Sequence, residues 1–209
     1  MKPWLFDILA CPIDKNFPLK LYIFSYETPA KVFESLLAIL INRDINEIEY
    51  ENIINVSYEG EKIKIQDNLV LEETELVPYL KLIKKSLEEL ENVYDLSTIA
   101  NSKQLLNQIR TDIKGVIHNC IKDASKEVLK EIYPELIVIN NYKFEIEIKT
   151  GILFCSECKR WFPIIDTIPQ LLPDEYRDEK IELEFLKTNK NLLDDEFFHQ
   201  ELKPFNLEI

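Results

Sequence analysis

Two short motifs near opposite ends of the chain set the strongest limit on what it can fold into. Cys155-Ser-Glu-Cys158 is a CxxC knuckle, and Cys11-Pro-Ile-Asp14 has the same spacing with a carboxylate in the last place. A CxxC turn offers two metal ligands from one tight loop, and a tetrahedral zinc site needs four. Cys11, Asp14, Cys155 and Cys158 supply three thiolates and a carboxylate, and aspartate oxygen is an accepted zinc ligand. If the two knuckles share a site, both chain ends belong to one small β unit and the middle of the chain is an insertion. Two other readings stay open: thiols packed without metal, and a thioredoxin-like redox pair. The redox pair wants its motif to open a helix, whereas Cys158 is followed by the strand-like Trp161-Phe162-Pro163-Ile164-Ile165.

Composition removes several function classes. Among 209 residues there are only three glycines, Gly60, Gly115 and Gly151, so no GxGxxG or GxxxxGK[ST] loop can be assembled. A nucleotide or S-adenosylmethionine enzyme is not expected, and no catalytic or cofactor-binding residues are assigned. The formal charge of −13 opposes direct binding to phosphates, which relies on lysine and arginine. Lys159, Arg160 and Trp161 form the one compact basic and aromatic group that a nucleic-acid-binding ribbon would use. The N-terminal MKPWLFDILACPIDK does not read as a signal peptide, and no apolar run is long enough to span a bilayer. Four cysteines in an otherwise ordinary composition suggest a reducing, cytoplasmic setting.

Periodicity predicts the elements. Residues 3–24 read as strand, knuckle and strand, with Trp4, Phe6 and Leu9 before Cys11 and alternating Leu19, Leu21 and Ile23 after it. Thr28-Pro29 reads as an N-cap and first helical residue, opening a helix that carries Val32, Phe33, Leu36, Leu37 and Leu40. Residues 52–66 form a hairpin turning at Glu59-Gly60. Leu76, Leu80, Ile83, Leu87 and Leu90 stripe one helix; Leu105, Ile109, Ile113, Val116, Cys120, Ala124 and Val128 stripe a second, ended by Tyr133-Pro134. Cys120 is then most simply a core cysteine, and His118 and His199 are surface residues. Tyr142, Phe144, Ile146 and Ile148 alternate with charges as in a half-buried strand, and Gly151 allows a turn or bulge. Beyond Pro173 the acidic tail carries Ile181, Phe185, Leu186, Leu192, Leu193 and Phe197 at helical spacing.

The run after the second knuckle is apolar beyond what a small ribbon can bury. Trp161, Phe162, Ile164, Ile165, Ile168, Leu171 and Leu172 are punctuated by Pro163, Pro169 and Pro173. Proline confines such a segment to edges and extended turns. Core packing and a partner-binding edge both account for it.

At these residues the chain resembles a known family. Gly151-x-Leu153-x-Cys155-x-x-Cys158-x-x-x-Phe162-Pro163-Ile164-x-x-x-Ile168-Pro169-x-Leu171-Leu172-Pro173, with Leu9-Ala10-Cys11-Pro12 upstream, is similar to the small zinc-binding activator subunit shared by several tRNA, rRNA and release-factor methyltransferases. The resemblance covers residues 1–26 and 135–173 and implies an α+β chain, with a zinc-ribbon-like domain built from those two segments and a mostly helical insertion over 27–134 between them; the acidic helical tail over 174–209, read from its own spacing, has no counterpart in the family. It implies a non-catalytic subunit that binds and activates S-adenosylmethionine-dependent methyltransferases and adds a strand to their sheet, the catalytic partner supplying the cofactor pocket and most RNA contacts, so that RNA is met only indirectly through it. Trp161, Phe162, Ile164, Ile168, Pro169, Leu171 and Leu172 would face that partner, and zinc would sit at the knuckles. Asp14 stands where the family has a second cysteine, and Thr167 where it commonly has glycine.

Overall fold

The computed structural model describes residues 1–43, 53–60 and 62–207. From the N-terminus, one helical turn, α1 (Pro3–Phe6), precedes strand β1 (Lys20–Tyr26) and helix α2 (Ala30–Asn42). The hairpin β2 (Asn55–Glu59) and β3 (Lys62–Gln66), with the two-residue β4 (Thr74–Glu75), forms a three-stranded sheet ahead of α3 (Leu76–Glu89). Strand β5 (Val93–Asp95) follows, then α4 (Ala100–Gln108), a π-helical turn (Ile109–Ile113) and α5 (Lys114–Cys120). Helices α6 (Lys126–Glu131) and α7 (Tyr133–Phe144) lead to β6 (Ile148–Phe154), β7 (Trp161–Ile165) and β8 (Ile168–Pro169). The tail holds α8 (Glu179–Asn189) and α9 (Asp195–Phe198). The class is α+β as expected, and the chain divides into two compact units.

One unit comprises Met1–Glu27, Asn92–Thr98 and Glu147–Ile209. Its five-stranded sheet has the order β5-β1-β6-β7-β8, so both chain ends build it. β1 runs antiparallel to β6, pairing Lys20 with Phe154 and Ile23 with Gly151, and parallel to β5. Gly151 makes no turn; it lies mid-strand, and two register irregularities fall beside it on β1, between Ile23 and Ser25 and between Ser25 and Tyr26. Asp166 and Thr167, both at positive φ (44° and 68°), join β7 to β8. That is the two-residue turn whose twist suits a hairpin, and glycine or asparagine adopt it with less strain than threonine. Residues 3–6, expected as strand, are a helical turn led by Pro3, because proline fits the first helical position and makes a poor strand residue.

The tail completes this unit's core. Leu186, Phe197, Phe198, Leu202 and Leu207 cluster with Phe24, Ile152, Phe154 and Trp161 of the sheet. Lys203 pairs with Arg160 in a parallel bridge, and the Trp161 indole Nε1 donates to the Phe205 carbonyl at 3.0 Å. Arg177 is buried with Glu182, donates from Nη2 to the Trp161 carbonyl at 2.7 Å, and lies against the Trp161, Phe162 and Phe205 rings.

The other unit comprises Thr28–Glu91 and Ile99–Ile146 and is mostly helical. α2 is preceded by Pro29 as its N-cap, with no side-chain capping bond from that residue, so the proline sits one place earlier than expected. The hairpin turns at Gly60 (φ 64°) with Val56 opposite Ile65 and Tyr58 opposite Ile63; its expected start at Asn52 lies outside the described residues. α3 buries Leu76, Leu80, Ile83 and Leu87, as the stripe requires.

Two expectations fail here for physical reasons. The second stripe is not one helix: the π turn adds a residue per turn, which moves the buried position from Val116 to Ile117, and a new helix starts after the Ser125 N-cap. Cys120 is accordingly half-buried rather than core. Tyr133-Pro134 opens a helix instead of ending one, and residues 133–144, partly expected as strand, are α7. Residues 134–143 are all buried, including Lys143, whose Nζ donates to the Ser86 carbonyl at 3.2 Å. A helix buried all round has no polar stripe to betray its period.

Candidate metal centre

The two knuckles have the same backbone geometry. In each, the cysteine carbonyl accepts from the N–H four residues on and the cysteine N–H donates to the carbonyl five residues on. Lys15 and Asn16 play these parts for Cys11 (both 3.0 Å), and Lys159 and Arg160 play them for Cys155 (3.0 and 2.8 Å). Lys15 and Lys159 both hold left-handed φ, 63° and 62°. This conformation costs about 1–2 kcal/mol in a non-glycine residue. Its recurrence shows that two unlike sequences are bent to one loop shape.

The loops bring Cys11, Asp14, Cys155 and Cys158 together, with one ligand atom of each lying within 4.8 Å of the others. Cys11 Sγ and Cys158 Sγ are 3.6 Å apart, and Cys155 Sγ lies 3.3 Å from Asp14 Oδ2. Tetrahedral zinc with Zn–S near 2.3 Å places its sulfurs roughly 3.8 Å apart and a sulfur–oxygen pair at roughly 3.6 Å. The donor set fits a metal ion in both chemistry and spacing. Burial pushes the Cys11 thiol up to about 12, and burial also raises Cys155. Asp14 moves the other way, to about 2, chiefly because its Oδ1 accepts the Asn16 N–H at 3.0 Å. Asn16 also donates from Nδ2 toward Cys155 Sγ at 3.6 Å. The one hard ligand is thereby oriented from its own loop. His118 and His199 are exposed and take no part.

The apolar run divides between two environments. Trp161, Phe162 and Ile164, expected to face a partner, are fully buried within the chain, because consecutive residues of β7 point to opposite faces and both faces are covered. Ile168 is 60% exposed and Leu172 39%, with Pro169 and Leu171 half-buried. Sequence reading missed Ile8, Ile13 and Phe17 around the first knuckle, which are exposed as well. Their signal was an apolar residue on either side of Cys11 with no strand alternation to bury it. The basic group at 159–161 is not offered to RNA: Trp161 is buried, Arg160 is bonded to Asp174, and Lys159 Nζ donates to the Ser156 carbonyl.

Among the described residues, no helix is long and apolar enough to cross a membrane. Comparisons with curated proteins and with solved structures give no match. A family model described as Trm112p-like protein matches residues 2–166, from the first knuckle through the second and on to the β7–β8 turn. With most of its length inside that match, the chain belongs to the Trm112p-like family, the activator subunits of methyltransferases.

Proposed function

We propose that this chain is a non-catalytic subunit that binds, stabilises and activates S-adenosylmethionine-dependent methyltransferases acting on tRNA, rRNA or translation factors in the cytoplasm. The observation that carries this reading is the family match across both knuckles, whose four ligands converge in the unit that also exposes an apolar edge at Ile168 and Leu172. Zinc at Cys11, Asp14, Cys155 and Cys158 would pin the N-terminal knuckle to the C-terminal one. The β8 edge would then be held rigid by a site outside the partner interface. The partner surface is Ile168, Pro169, Leu171 and Leu172: Ile168 is exposed on the two-residue edge strand and Leu172 just beyond it, with Pro169 and Leu171 half-buried between them. An edge strand of this kind can be extended by a strand from another sheet. The catalytic chain would supply the cofactor pocket and the RNA contacts, in keeping with three glycines and a charge of −13 here.

The test is capture of a tagged copy from its native host, with mass spectrometry of what comes with it in near-stoichiometric amount. The expected result is one or more methyltransferase catalytic chains, inactive or insoluble without this subunit. Recovery of RNA or unrelated enzymes, and no methyltransferase, would overturn the proposal.

A further inference from the structure

The two knuckles do not hold equal numbers of thiols. Cys155 and Cys158 share the second, whereas Asp14 fills the matching place beside Cys11 in the first. Cys11 therefore has no other thiol in its own loop, and any bond it forms to a sulfur of the cluster joins the first knuckle to the second. Geometry selects which sulfur. Cys11 Sγ and Cys158 Sγ are in van der Waals contact at 3.6 Å. Cys155 Sγ meets polar partners instead, Asp14 Oδ2 at 3.3 Å and Asn16 Nδ2 at 3.6 Å. Cys158 is half-buried while Cys11 and Cys155 are buried, so a reagent from solvent reaches Cys158 first. The fourth cysteine, Cys120, belongs to the helical unit.

We infer that the candidate metal centre doubles as a redox-convertible staple: under peroxide, Cys11 and Cys158 form a reversible disulfide that keeps the chain ends joined without metal. The Cys158 thiolate attacks hydrogen peroxide. An S–O bond forms, the O–O bond breaks, and the departing hydroxide takes up the thiol's proton to become water. The Cys11 sulfur then attacks Cys158 Sγ, forming the S–S bond, breaking the S–O bond and releasing a second water. Two thiols lose two electrons and one peroxide gains them. The product leaves only Asp14 and Cys155 as donors, too few for tetrahedral zinc, so the two staples exclude each other. A bond between Cys155 and Cys158 would leave the first knuckle unattached. The Cys11–Cys158 bond instead joins residues 147 positions apart, and a crosslink restricts the unfolded chain most when the loop it closes is long. Disulfides in reducing compartments are typically transient ones of this kind, made in response to an oxidant.

The test is graded hydrogen peroxide on the full, zinc-treated chain, followed by alkylation of the remaining thiols and peptide mapping without reductant. Cleavage after Glu157 as well as after lysine separates Cys155 from Cys158. Expected is one bridge per chain, Cys11–Cys158, with Cys155 and Cys120 alkylated and full reversal by dithiothreitol. Bound zinc should appear in a chromogenic chelator in step with the bridge. In EDTA, the oxidised chain should melt about 5–10 °C above the reduced one. The mapping and the melt need no bound metal and no partner, so they stand apart from both the zinc assignment and the methyltransferase reading. A main product bridged Cys155–Cys158 or Cys11–Cys155, disulfide-linked dimers, sulfinic acid without a bridge, or a melt no higher than that of the reduced chain in EDTA would each overturn the inference.

Discussion

Gly151 of β6 lies directly against Tyr22 of β1: a Cβ added at Gly151 would sit 2.5 Å from the Tyr22 carbonyl oxygen. These two strands carry the two knuckles, so the close approach is part of how the chain ends are held together. The obstacle is backbone, which cannot rotate aside as a side chain can. Gly151→Ala should therefore destabilise the chain by about 1–3 kcal/mol, the usual cost of overpacking. Urea unfolding would show it, and an unchanged midpoint would mean that the strands part without penalty.

The candidate metal centre makes a count. Each cysteine ligand gives up a proton on binding, whereas Asp14, held at about 2, has none to give at neutral pH. Zinc uptake should release close to three protons, measured by calorimetry in buffers of different ionisation enthalpy. Burial holds the Cys11 thiol near 12, so protons compete with metal across the physiological range. Affinity should then fall as pH falls, with a slope approaching three in log Kd per pH unit. Asp14→Asn should keep the proton count and weaken binding by more than the roughly 10–100-fold that losing an outer-shell partner costs. Asp14→Cys should add a fourth proton and tighten it. A count of two with wild-type protein would remove one thiol from the site.

Arg177 and Glu182, both in the tail, form an ion pair that is almost wholly buried. Arg177→Met removes the cation and leaves the Glu182 carboxylate without it, at an expected cost of about 3–5 kcal/mol. Arg177→Met with Glu182→Leu should recover much of that loss, since a hydrophobic pair can replace a buried ion pair at little cost. Additive losses in the double variant would show that the two residues act separately.

How much of this could be read in the sequence depended on whether burial was one-sided. The 55–66 hairpin alternates around Gly60, and α3 carries its stripe on one face, so both periods are plain. The knuckles were legible because ligand spacing is a local property. α7 was not, since residues 134–143 are buried on every side and the Tyr142–Ile148 alternation spans the end of a helix and the start of a strand. The shift from Val116 to Ile117 follows from one π turn, which composition does not announce. Trp161 and Phe162 read as surplus because their cover comes from far along the chain: Phe197, Phe198 and Leu202 for Trp161, and Arg177 for both rings.

Ile168 and Leu172 separate binding from folding. Both side chains are exposed, so charging them with Ile168→Glu and Leu172→Glu should change stability by no more than about 0.5 kcal/mol. If the β8 edge is the partner surface, the same pair should lower affinity for the co-purifying methyltransferase at least about tenfold, or about 1.4 kcal/mol. Phe162 behaves in the opposite way. It is fully buried, and Phe162→Ala should cost about 3–5 kcal/mol of stability, so any binding it loses reports an unfolded sheet. Thermal melts and capture measured on the same preparations distinguish the two cases. Intact capture by the charged Ile168 and Leu172 variant would move the interface elsewhere, with Ile8, Ile13 and Phe17 beside the first knuckle as the next exposed apolar group to charge.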